Sequence, residues 1–144
     1  MAIYKVASPA NFMSRVNGKV TESVYGSRHC TGARKPDHVL GADTAFVAKY
    51  SLPARESPEG YLETIPELIV EIRSKNDGRA KIKEKILDYL NAGTRLVWLI
   101  DPQREIVESH RPNSPAKTHR KTATLTCPPI IPGFHLPLAE LFRP

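Results

Sequence analysis

The sequence predicts a mixed α/β fold, a central sheet with one helix crossing between two of its strands. Three observations predict it. Residues 67–73 (ELIVEIR) and 95–100 (RLVWLI) are apolar runs of strand length, separated by a helically spaced segment long enough for a crossover. Thirteen prolines in 144 residues exclude an all-helical bundle and imply short elements with stiff connections. Hydrophobic residues at 40% and charged residues at 25% are ordinary globular usage.

Taken in order, residues 20–25 (VTESVY) alternate like a strand, whereas 26–39 are polar, basic and Pro/Gly-punctuated, as in a loop. Residues 44–48 (TAFVA) form a short strand, and a loop follows through 51–60. In the 67–73 strand Leu68, Val70 and Ile72 share one face, and Glu67, Ile69, Glu71 and Arg73 the other. Residues 74–78 (SKNDG) break that strand. A helix then runs to Ala92, with Asn76 or Asp77 as N-cap and Gly93 as the glycine beyond its end. Ile82, Ile86, Tyr89 and Leu90 give it a buried stripe. The continuous run at 95–100 reads as a central strand covered on both faces, parallel to the 67–73 strand. Residues 106–110 are its antiparallel neighbour, 111–121 an exposed basic loop, and 138–142 a short terminal helix.

The length suits one domain spanning residues 1–144, of which 1–40 are poorly defined. No apolar run approaches the roughly 20 residues that span a bilayer. The N-terminus shows no charged region followed by an apolar one, so a cytoplasmic protein is expected. A net charge of +6 favours a polyanionic partner. Cys30 and Cys127 read as free thiols. His29, Cys30 and His38 fit no zinc spacing, and GxGxxG, P-loop and GxSxG motifs are lacking.

Three residues carry the candidate chemistry: Asp43 before a strand, Glu71 within one, and Lys85 on the following helix. Two carboxylates converging from adjacent strands make a hard-oxygen site suited to Mg²⁺ or Mn²⁺. A nearby ammonium can orient water and neutralise charge on phosphate. On the helical wheel Lys85 lies roughly 60° from Ile82 and 40° from Tyr89, at the edge of the apolar stripe. Plainer readings stand beside these. Asp43 also fits a turn brace, Glu71 an ion pair, and Lys85 a stem lying over the core rim. Arg79, Lys81 and Lys83 fit a solvated helix face as well as contacts to DNA phosphates.

Several stretches also resemble a known family. Residues 41–47 (GADTAFV) resemble its PDVAFV strand, and 66–74 (PELIVEIRS) its PDLVVEVLS stretch. Residues 96–102 (LVWLIDP) resemble VWVVDP, and 131–142 (IPGFHLPLAELF) the LPGFRLPLAELF tail. The family is that of the Uma-two-type restriction endonucleases, within the PD-(D/E)XK nuclease superfamily, and the motif match runs over residues 41–142. The resemblance implies a restriction-endonuclease-like core and metal-dependent cleavage of DNA. Asp43, Glu71 and the Ile72 carbonyl would then hold Mg²⁺ or Mn²⁺. Lys85 would stand in for the lysine usually found two residues after the Glu, a place held here by Arg73. Arg73, Ser74, Lys75, Arg79 and Lys81 would contact DNA, and a homodimer would suit cleavage of two strands. Three departures are visible: residues 1–40 carry no motif of the family's longer N-terminal region, Glu67 replaces Asp, and Lys75 replaces Pro. They keep an alternative open, a catalytically inactive DNA-binding or assembly module that retains the fold.

Overall fold

Residues 24–31, 39–47 and 65–143 are described by the computed structural model. In chain order these are β1 (Val24–Thr31), β2 (Val39–Phe46), β3 (Leu68–Ile72), α1 (Arg79–Ala92), β4 (Leu96–Asp101), β5 (Ile106–His110), β6 (Lys117–Arg120), β7 (Thr124–Cys127), β8 (Ile131–Pro137) and α2 (Leu138–Leu141). Strands β1 to β6 form one sheet in sequence order, and β7 pairs with β8 in a separate hairpin. β3 and β4 run parallel, from Leu68 opposite Leu96 to Ile72 opposite Ile100, with α1 as the crossover. The other pairings are antiparallel. This is the mixed sheet the sequence predicts.

Both central strands are buried along their whole length, which is why their sequences run apolar without alternation. One face packs Leu68, Val70, Ile72, Trp98 and Ile100 against the β7–β8 hairpin and α2, through Leu125, Phe134, Leu136, Leu138 and Leu141. The other packs Ala45, Ile69, Val97 and Leu99 beneath Ile86 and Tyr89 of α1. Three layers result, with the helix on one side and the hairpin on the other. No helix among the described residues is long and apolar enough to cross a membrane.

Two local differences from expectation share a physical cause. The expected loop at 26–39 is strand as far as Thr31, because β1 pairs with β2 from Val24–Phe46 to Thr31–Val39. The expected basic loop at 111–121 contains β6, which pairs with β5 and is mostly exposed. Edge strands carry polar and charged side chains that blunt further pairing, so composition alone reads them as loop. The N-cap of α1 is Gly78, which makes no side-chain cap bond, and neither Asn76 nor Asp77 takes that place. The Asp77 carboxylate instead accepts the Ser74 N–H at 2.7 Å, tightening the turn after β3. Gly93 does end the helix, at φ 115°, a conformation that suits a residue without Cβ. The expected loop at 51–60 and the first residues of the 20–25 strand lie outside the described residues.

Candidate active site

The site forms where β2 and β3 stop pairing. Their register runs from Phe46–Leu68 to Thr44–Val70 and ends there. One step further, Asp43 stands across from Glu71, on the sheet face that carries Ala45, Ile69 and the helix. The Asp43 carboxylate takes over from the ladder, its Oδ2 accepting the Ile72 N–H at 2.7 Å. That bond fixes the carboxylate through one oxygen, and Oδ1 accepts no hydrogen bond from the described residues. Arg73 N–H points the other way, to Ile100 O at 2.8 Å. Strand alternation therefore turns the Ile72 carbonyl toward β2 and Asp43.

Glu71 is 8% exposed and is held from the helix. Lys85 Nζ donates to its Oε2 at 2.8 Å, and the Tyr89 hydroxyl donates to its Oε1 at 2.7 Å. Lys85 and Tyr89 are four residues apart, one turn, so a single helix face presents both. Lys85 Nζ also lies 5.9 Å from the Tyr89 ring centroid. Asp43, Glu71 and Lys85 are thus brought together. Sequence reasoning assigned Tyr89 to the apolar stripe and missed its hydroxyl; the spacing from Lys85 was the available signal.

Burial pushes the Glu71 carboxyl above its usual value of 4.5. Lys85 and Tyr89 pull it back, and the nearby Asp43 charge adds to the rise. The folded metal-free protein therefore keeps this proton at a pH where the unfolded chain has released it. Stability falls as pH rises from about 4.5 through the higher folded value, and it stays lower above that window. Glu71→Gln is expected to remove this fall and to raise the thermal midpoint at neutral pH. A variant whose pH–stability profile still overlays the wild type would contradict the assignment.

The donor set fits a hard divalent ion. Two carboxylates meet at a place where burial and mutual repulsion penalise their negative charge, and a cation relieves both costs. Glu71 oxygens keep lone pairs beyond the two bonds described. No group of three or more His, Cys, Asp or Glu able to hold a metal occurs among the described residues. An ion here would draw further oxygens from the Ile72 carbonyl, water and substrate, the habit of Mg²⁺.

The residues expected to contact DNA divide. Arg73 is committed to an ion pair with Asp101 at 2.9 Å, partly buried. Asp101 also accepts the N–H groups of Gln103 and Arg104, so Arg73 braces the turn after β4. Ser74, Lys75, Arg79 and Lys81 are exposed around the turn and the start of α1, with Lys81 one turn from Lys85. Elsewhere, His119 Nε2 meets Ser109 Oγ at 2.8 Å, but no carboxylate orients the ring among the described residues. The buried Cys127 thiol is pushed up to about 11 and is unreactive at neutral pH.

Fold and site first define a class: a mixed α/β protein with two acids and a lysine where β2 and β3 part. The Uma2 family model, described as "Putative restriction endonuclease", matches residues 10–139, and the chain belongs to that family. The match starts well before residue 41, so the N-terminal region shares the family likeness although no motif there displays it. Among solved structures the chain is similar to one from Anabaena variabilis described as "a putative nuclease belonging to DUF820". That similarity has a TM-score of 0.75 at 23% identity, covering 99% of this chain and 80% of the other. It supports the restriction-endonuclease-like α/β fold. No curated protein matches the chain.

Proposed function

We propose that the protein is a Mg²⁺- or Mn²⁺-dependent DNA endonuclease that hydrolyses phosphodiester bonds at Asp43, Glu71 and Lys85. The observation that carries this reading is the convergence of two acids from adjacent strands with a lysine from the crossover helix. Family membership and the basic balance of the chain support it.

Asp43, Glu71 and the Ile72 carbonyl would hold the ion. When bound, the ion lowers the pKa of a water and offsets charge on the phosphate. Asp43 is preorganised for its part, because the Ile72 N–H already fixes one oxygen, and among the described residues none bonds the other. Lys85, 33% exposed, reaches the site from its rim and can move from Glu71 toward a water or a phosphate oxygen without crossing the core. As an ammonium it orients the attacking water and meets the charge that grows on phosphorus-bound oxygens. The water oxygen would bond to phosphorus and give up a proton to solvent, the P–O ester bond would break, and the leaving oxygen would take a proton from solvent. Tyr89 is a positioning residue that holds Glu71 from below. Ser74, Lys75, Arg79 and Lys81 would meet flanking phosphates, and a second copy of the chain would serve the second strand.

The test is incubation of the full chain with supercoiled plasmid in Mg²⁺ or Mn²⁺, with EDTA as the control. Nicked or linear DNA that requires the ion is the expected result. Salt-sensitive retention of intact plasmid would instead identify a DNA-binding module without catalysis.

A further inference from the structure

A groove of about 820 Å³ lies beside the carboxylate site and is lined by none of Asp43, Glu71 or Lys85. One wall is α1 and the other is residues 111–116, with Leu99 of β4 between them. It adjoins the site at Leu99, which stands opposite Glu71 in the β3–β4 register, and at Arg73 just past the end of β3. We propose that this groove takes an unpaired nucleic-acid strand next to the bond that is cut. The inference rests on the nuclease reading and names the form of the strand held beside the cut.

Two features of the lining point there. The first is charge. Of the groove's two acids, Asp101 is matched by Arg73 at 2.9 Å, while Glu108 lies 3.4 Å from His110 Nε2, a contact that pairs charges only with the ring protonated, so four further cations face at most one open acid. Arg79, Lys83, Arg104 and Arg111 remain on the lining and form no ion pair with a described residue. Four cations spread along one groove suit a chain of phosphates better than a single anion. The second feature is the apolar floor. Leu87 is 48% exposed, a large apolar side chain left in water, and Ile82 and Leu90 lie beside it, half-buried. A duplex turns its bases inward and offers such a floor only sugar and phosphate. An unpaired strand offers base faces to the floor and phosphates to the cations at once.

Binding is measured on the full wild-type chain in EDTA, so that nothing is cut. The probes are a short labelled oligothymidine and a labelled duplex, titrated across a range of salt. The single strand is expected to bind more tightly. The Lys83→Gln/Arg111→Gln double variant, altered at two exposed positions, is expected to weaken single-strand binding about tenfold and to flatten its log–log salt slope by about 1.4. Leu87→Ser is expected to weaken single-strand binding without changing the slope. Unchanged affinity and slope in the double variant, or an equal loss on duplex and single strand, would overturn the proposal. Plasmid cleavage separates the two readings. A protein that cuts plasmid while the slope stays fixed loses only the groove, and one that does not cut while the slope falls keeps the groove without the nuclease.

Discussion

Glu71→Gln is expected to leave the protein folded and to lower Mg²⁺-dependent plasmid cleavage by about 10³-fold or more. Glutamine nearly matches glutamate in shape: its one oxygen can accept from Lys85 and its NH2 can donate to the Tyr89 hydroxyl, which turns from donor to acceptor, while the charge that draws a divalent ion is gone. The desolvation cost that raises the Glu71 pKa disappears with it, so activity and stability should move in opposite directions. That opposition separates a functional carboxylate from a structural one. An ion pair kept only for stability would lose stability when neutralised. Initial nicking rates and thermal midpoints on the same preparations decide between them. A variant that cuts plasmid as fast as the wild type would remove Glu71 from the mechanism.

Trp98→Ala is expected to cost about 3–5 kcal/mol. Trp98 is 1% exposed at the centre of β4, and its ring lies 5.7 Å from that of Phe134 at 32°. It joins the central sheet to the β7–β8 hairpin, so truncation opens a cavity between two layers that cannot close without moving β8. Urea unfolding followed by fluorescence at the remaining tyrosines, or by circular dichroism, gives the midpoint. The expected signature is a lower midpoint at unchanged m. A loss below about 1 kcal/mol would mean that the hairpin layer adds little to the fold.

The parts of this fold legible in the sequence are those whose burial is continuous. β3, β4 and α1 announce themselves because both faces of the strands and one stripe of the helix are packed. β1 and β6 do not, since an edge strand with polar side chains has the composition of a loop, and only its partner's register makes it a strand. The site divides in the same way. Glu71 stands out as an acid inside an apolar run, and Lys85 as a cation at the margin of an apolar stripe. Asp43 becomes legible mainly through the family motif, because nothing local shows that its strand pairs with β3 only from the next residue, Thr44, onward. The Tyr89 hydroxyl and the Arg73–Asp101 pair depend on contacts across 18 and 28 residues, which no local pattern carries.

Calorimetric titration of Mn²⁺ into the metal-free protein, repeated on Asp43→Asn, tests the central claim most directly. Saturable binding by the wild type that weakens at least about tenfold in the variant, with both proteins folded, is the predicted result. Equal affinity in the two proteins, or no binding by the wild type, would contradict it.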